Sequence, residues 1–161
     1  MVILAPMAAE YSIAKDRFGF AHDVVWTGVG PRNILKVITE MHFDPETPMV
    51  LFGFAGSNCL PIGIEVFVTK SYIHQFNASY EDDPAVLKKP DLKGVPKLGV
   101  PCYSSSDFVV ETKVLEPAIF DMELGFLTPF FPNLSAWRIV SDNLNLDAFG
   151  EFLERNSKKP E

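Results

Sequence analysis

The feature that most constrains the fold is a repeated order of apolar run, turn and helical segment. The run Met1–Ala5 ends at Pro6, and a short helix is predicted for Ala8–Arg17. A second run, Asp23–Thr27, stops at a glycine turn, and Pro31 then opens a helical pattern, where proline's missing N–H loses no hydrogen bond. This alternation predicts an α/β fold, a single three-layer domain with a central mixed, mostly parallel sheet flanked by helices.

The rest of the chain continues this order. The predicted elements are strands at Pro48–Phe54, Gly63–Ser71, Leu98–Tyr103 and Trp137–Val140, a helix within Val114–Leu127 and a terminal helix at Asp147–Asn156. The polar, proline-rich stretch 77–97 predicts a mobile loop inside a single domain spanning residues 1–161. Ligands of α/β sheets bind beyond the carboxyl ends of the strands, so we expect the site at the turns that follow them.

Composition excludes several classes of partner. The net charge of −7 argues against nucleic acid, and no apolar run is long enough to span a membrane. Cys59 and Cys102 are far apart, and the three histidines lack metal-ligand spacing, so no metal is expected. The apolar start lacks the basic region of a signal peptide, and we expect a cytoplasmic protein.

Eight short motifs occur in a fixed order along the chain. They are Pro6–Glu10 (PMAAE), Thr27–Gly30 (TGVG), Gly53–Ser57 (GFAGS), His74 after a strand, Ser104–Val109 (SSSDFV), Phe120–Glu123 (FDME), Arg138–Asp142 (RIVSD) and Phe149–Leu153 (FGEFL). In this order they resemble the nucleoside phosphorylase/nucleosidase superfamily, and most of all the methylthioadenosine/S-adenosylhomocysteine nucleosidases, in a shortened form. The resemblance covers most of the chain outside residues 77–97.

The resemblance implies hydrolysis of the N-glycosidic bond of a purine or purine-like nucleoside, without a cofactor, in a homodimer or larger homo-oligomer. By resemblance, Asp142 donates a proton to purine N7, Glu10 activates water and Glu123 binds the ribose hydroxyls. Paired carboxyl groups with different roles also serve glycoside hydrolysis. The other residues that the resemblance assigns to substrate binding are Met122, Phe108, Val109, Ala55, Gly56, Ser141 and Phe149.

Departures from the family pattern leave alternatives open. Tyr72 stands where relatives often carry an arginine, and the segment Pro6–Glu10 holds no basic residue. Both features weaken phosphate binding and favour hydrolysis over phosphorolysis. The alternatives are a purine nucleoside phosphorylase and a catalytically inactive nucleoside-binding or assembly subunit.

Each candidate residue also has a purely structural interpretation. Glu10 is then a surface acid favoured by the helix dipole, Glu123 a solvated acid and Asp142 a helix N-cap. Phe108 and Phe149 are core residues in the same interpretation. Burial and hydrogen-bond partners distinguish the two interpretations.

Overall fold

A computed structural model describes residues 1–75, 78–79 and 84–157. The strands are β1 (Val2–Ala5), β2 (Asp23–Trp26), β3 (Met49–Ser57), β4 (Glu65–Gln75), β5 (Ala78–Ser79), β6 (Ala85–Val86), β7 (Gly99–Ser104), β8 (Ile119–Asp121) and β9 (Leu134–Asp142). The helices are α1 (Ala8–Phe18), α2 (Pro31–Met41), α3 (Leu124–Leu127) and α4 (Leu146–Ser157). The structure therefore confirms the predicted order of the first four elements.

Helices cover both faces of the sheet because successive side chains of a strand point to opposite sides. Within β1, Ile3 and Leu4 are both fully buried but belong to different cores. Ile3 packs in one core with Phe18 of α1 and Phe152 of α4. Leu4 packs in the other with Ile34 of α2. The prediction of a mixed sheet flanked by helices is confirmed.

The sheet closes part of itself into a ring. Its strands pair in the order β2, β1, β3, β8, β7, β4, β5, and β9 pairs with both β3 and β4. The strands β3, β8, β7, β4 and β9 therefore form a closed circuit of five. Among the described strands, five pairings are parallel and four antiparallel. The sequence did not predict this ring, because a strand's hydrophobic pattern indicates which faces are buried but not which strands are neighbours.

One predicted helix is mostly wrong. Within Val114–Leu127 the helix is confined to its last four residues, α3, and strand β8 precedes it. Ile119 and Phe120 are buried, and β8 pairs with both β3 and β7. The extended form prevails because these two neighbours offer hydrogen bonds along both edges of β8.

The predicted mobile loop at 77–97 is only partly described. Residues 77 and 80–83 of that stretch lie outside the described residues. In the rest, the Leu87 N–H donates to the Thr69 carbonyl at 3.0 Å, and Leu92 is buried in the core that contains Phe18. Mobility of this stretch stays a prediction. No helix among the described residues is long and apolar enough to cross a membrane.

Candidate active site

A small cavity of about 60 Å³ lies where β1, β3 and β9 end. It brings together nine of the residues predicted for the site: Glu10, Ala55, Gly56, Phe108, Met122, Glu123, Ser141, Asp142 and Phe149. Val109 lines a neighbouring pocket of about 350 Å³ instead, together with His74 and with Phe108, which belongs to both. The turns after the strands therefore meet as the sequence predicts.

Glu10 is a buried acid and not a surface one. Its side chain reaches back from α1, so that Oε1 accepts the Met7 N–H at 2.6 Å and Oε2 accepts the Phe54 N–H at 2.5 Å. A Cβ atom on Gly53 would lie only 1.9 Å from Glu10 Oε2, so a glycine is required there. Burial raises the pKa of Glu10 to about 7, although Arg138 and the two backbone N–H groups oppose the shift. Glu10 is thus a buried carboxyl group whose pKa lies near neutral pH.

Arg138 is a buried cation that forms ion pairs with two of the acids at the site. It is fully buried in β9, and its Nη2 donates to Asp121 at 2.9 Å and to Glu123 at 3.1 Å. Burial lowers the pKa of Arg138, but Asp121, Glu123 and Glu10 outweigh it and keep the pKa above its usual value. The guanidinium is therefore a permanent cation among three carboxyl groups.

The other donors of Arg138 have no partner among the described residues. Its Nη1 and Nε form no hydrogen bond with any described residue. Nη1 lies 3.2 Å from where a Gly53 Cβ would be, next to the position occupied by Glu10 Oε2. Most buried donors in proteins have a partner, so the unpaired Nη1 beside Glu10 is unusual.

Glu123 is buried as well, which excludes its interpretation as a solvated acid. Its Oε2 accepts the Gly30 N–H at 2.8 Å, and its Oε1 faces Arg138. Burial raises the pKa of Glu123, with Arg138 opposing and Asp121 adding to the shift. The glycine turn before α2 thus positions the acid that precedes α3.

Asp142 is fixed at the end of β9 and does not cap α4. The N-cap role belongs to Asn145, whose Oδ1 accepts the Ala148 N–H at 3.0 Å. Asp142 Oδ1 accepts the Ser141 hydroxyl at 2.7 Å, and Oδ2 accepts the Leu144 N–H at 2.9 Å. Burial raises the pKa of Asp142, while these hydrogen bonds oppose the shift. The structural interpretation of Asp142 as a cap is therefore wrong.

Phe108 and Phe149 close the cavity from the solvent side. Both are half-buried and lie outside the cores, and their rings stack with centroids 5.4 Å apart at an interplanar angle of 19°. A cavity of about 60 Å³ has room for a few water molecules, whereas ligand pockets usually measure roughly 300–1,000 Å³. The cavity is therefore too small to hold a nucleoside in this conformation.

The sequence prediction gave no separate role to two residues of the site, Arg138 and Asp121. Arg138 appeared only within a motif, although an arginine inside the apolar run Trp137–Val140 signals a buried cation that needs acidic partners. Asp121, one of those partners, also bonds the Ser104 hydroxyl. The described residues contain no cluster of three or more His, Cys, Asp or Glu side chains suited to a metal.

Comparison with known proteins identifies the fold. No family model and no curated protein sequence matches the chain. The 5′-methylthioadenosine/S-adenosylhomocysteine nucleosidase of Helicobacter pylori, solved with butyl-thio-DADMe-Immucillin-A, matches with 16% identity and a TM-score of 0.72, over 97% of this chain and 91% of that chain. Futalosine hydrolase of the same organism matches with 14% identity and a TM-score of 0.71 over the same shares.

A third solved structure agrees with these two. A nucleosidase of this type from Chlamydia trachomatis, bound to MTA, matches with 15% identity and a TM-score of 0.71, over 96% of this chain and 87% of that chain. At such identities the likeness establishes the fold alone. The chain has the fold of the nucleosidases that act on methylthioadenosine-type nucleosides and futalosine.

Proposed function

We propose that this protein hydrolyses the N-glycosidic bond of a purine or purine-like nucleoside. The observation that carries the proposal is the meeting of three buried acids, Glu10, Glu123 and Asp142, in one cavity beside two aromatic rings. The fold is that of enzymes named as nucleosidases and a futalosine hydrolase, which supports the same class of reaction.

Asp142 supplies the proton that the leaving base needs. Cleavage of the bond between C1′ and N9 leaves an electron pair on the purine, and protonation at N7 neutralises it. A carboxyl group acts as an acid only if it holds its proton near neutral pH, and burial shifts the pKa of Asp142 in that direction. The Leu144 N–H and the Ser141 hydroxyl keep the carboxyl group oriented.

Glu10 activates the water that attacks C1′. Its pKa of about 7 suits a general base at neutral pH. The water forms a bond to C1′ as its proton passes to Glu10, and the products are free base and ribose sugar. Proton return from Glu10 to Asp142 through solvent completes the cycle.

Glu123 and Arg138 act on the sugar side. A carboxylate beside the ribose accepts hydrogen bonds from the hydroxyls and stabilises the positive charge that develops on the sugar ring. Arg138 keeps Glu123 in place through the bond of 3.1 Å. Glu123 therefore binds substrate, and Arg138 is a positioning residue.

The substrate has to part the two phenyl rings. A base sandwiched between Phe108 and Phe149 needs rings about 7 Å apart, since each stacked face lies about 3.5 Å from the base. The present separation of 5.4 Å excludes it. Phe108 belongs to the segment between β7 and β8, which has no regular secondary structure from residue 105 to 118, and this segment provides the required movement.

Hydrolysis is favoured over phosphorolysis by the charge of the cavity wall. Among the described residues that line it, none is lysine or arginine, and a phosphate co-substrate needs such cations. The test is base release from a panel of purine nucleosides with and without phosphate. Equal rates with free ribose as the product support the proposal, whereas ribose 1-phosphate identifies a phosphorylase and no base release from any nucleoside identifies an inactive binding protein.

We also propose that the protein is a cytoplasmic homodimer or larger homo-oligomer. Several large apolar side chains are exposed, including Val110, Leu115 and Leu146. Aromatic and apolar side chains are typical of subunit interfaces. Sedimentation at micromolar concentration tests the assembly, and a strict monomer contradicts it.

A further inference from the structure

A cavity of about 590 Å³, much larger than the candidate active site, lies elsewhere among the described residues. It lies between the turn that follows α1 and the segment 92–96, and it shares no lining residue with the catalytic cavity. Its volume falls within the usual range for ligand pockets, roughly 300–1,000 Å³. The proposed reaction leaves this cavity without a role.

The floor and rim of this cavity are aromatic. Phe18 and Trp137 meet edge to face at 5.2 Å on the floor, and Leu92 packs in the same core. At the rim, the Phe20 side chain is 100% exposed. Phe20 lines the cavity together with the buried Phe18 and Trp137, so an aromatic side chain stands open to a ligand at the rim.

The polar groups of the cavity carry an excess of positive charge. Arg17 and Glu65 neutralise each other through a two-pronged ion pair of 2.6 and 3.1 Å, which the indole N–H of Trp137 supports at 2.8 Å. Lys93 then remains as a cation that forms no ion pair with any described residue. This local positive charge stands out in a protein whose net charge is −7.

A second polar group in the cavity also lacks a partner. The Nδ1 atom of His22 is buried and forms no hydrogen bond with any described residue. Unpaired buried polar atoms are uncommon, and His22 is one of the residues that line the cavity. Lys93 provides the exposed polar contact beside an aromatic floor.

We propose that this cavity binds a small aromatic anion, with the ring on Phe18, Phe20 and Trp137 and the acidic group on Lys93. The ring buries the apolar surface, and the anion gains a charge-assisted hydrogen bond. The site is separate from nucleoside hydrolysis and is independent of it.

The test uses a matched pair of probes, the anion 1-anilinonaphthalene-8-sulfonate and its neutral parent N-phenyl-1-naphthylamine. Binding is measured by dye fluorescence and by quenching of Trp137, in a Trp26→Phe background that removes the other tryptophan. We expect the anion to bind about tenfold more tightly than the neutral parent, since one charge-assisted contact distinguishes them.

Two substitutions locate the bound probe. Lys93→Gln is expected to weaken the anion about fivefold and to leave the neutral dye unchanged. Phe20→Ser weakens both dyes. Both side chains are exposed, so neither change disturbs the fold. Lys36→Gln replaces another exposed lysine, on α2 outside the cavity, and is the control that has no effect.

The proposal is overturned by any of three results. These are no binding of the anion at millimolar concentration, an affinity that Lys93→Gln and Phe20→Ser leave unchanged, or an equal loss with Lys36→Gln. Neither success nor failure here bears on base release, which is measured separately.

Discussion

Replacement of Glu10 by glutamine tests the electrostatics of the site through protein stability. The pKa of Glu10 rises from 4.5 to about 7 on folding, mainly because of burial. Each unit corresponds to 1.36 kcal/mol, so the shift amounts to about 3 kcal/mol of pH-dependent stability. The raised pKa means that the folded state binds the proton more tightly. The stability contribution is therefore fully present below pH 4.5 and is lost as pH rises through about 7.

The assay is urea unfolding between pH 5 and 9. The Glu10→Gln variant has no titrating group at this position and does not lose this contribution. The difference between its free energy of unfolding and that of the wild type therefore shifts in favour of the variant by up to about 3 kcal/mol as pH rises. The glutamine also loses one acceptor for a backbone N–H, which costs about 1–3 kcal/mol at every pH and leaves the difference in slope unaffected. Glu151→Gln, an exposed acid on α4, is the control. Parallel curves for wild type and Glu10→Gln refute the reasoning.

Three further predictions concern the same site. Gly53→Ala places a Cβ atom against Glu10 and is expected to lower base release at least tenfold. Gly150→Ala is the control and keeps the activity, because its new Cβ meets nothing within 4 Å apart from its own helix backbone and chain neighbours. Equal activities of the two variants contradict the requirement for glycine at position 53. Arg138→Met leaves its two buried carboxylate partners uncompensated and is expected to lower the free energy of unfolding by about 3–5 kcal/mol in urea titrations, so a loss below 1 kcal/mol is evidence against the ion-pair network. The rate of base release at low substrate is expected to rise with pH through about 7 as Glu10 loses its proton, and a flat profile over this range argues against its role as the base.

Local signals in the sequence predicted most of the helices and strands. Pro6 ended the first strand, and Pro31 sits at the first turn of α2, as proline's fixed φ angle allows. Most of the fully buried strand β3 appeared in the sequence as the apolar run Pro48–Phe54, as expected for a strand covered on both faces. These features depend on residues close together in the chain, and they are therefore visible in the sequence.

Long-range strand pairing could not be predicted from the sequence. The ring of five strands requires β9 to pair with both β3 and β4, and no local pattern specifies such neighbours. Strand β8 is only three residues long, and partners on both sides stabilise it. Propensity over so few residues is too weak a signal to compete with such tertiary contacts.

The residues of the candidate site were likewise predicted only in part. The order of motifs predicted the acids Glu10, Glu123 and Asp142, and the structure places all three in one cavity. The central position of Arg138 remained unseen, because its acidic partner Asp121 lies seventeen residues away on another strand. The closed stack of Phe108 on Phe149 was equally invisible, since it depends on how two distant segments pack.

Single-turnover release of base by wild type and Asp142→Asn tests the central claim most directly. The amide has nearly the same shape as the carboxylate and loses at most one of the two acceptors that bond the Ser141 hydroxyl and the Leu144 N–H. The variant is therefore expected to fold and to bind nucleoside. The account predicts base release slowed by about 10²–10⁴-fold, because the amide cannot protonate the leaving purine. Thermal unfolding and nucleoside binding, measured on the same samples, ensure that only folded, liganded protein is compared. Near-normal release by folded Asp142→Asn would contradict the assignment of Asp142 as the acid and the mechanism built on it.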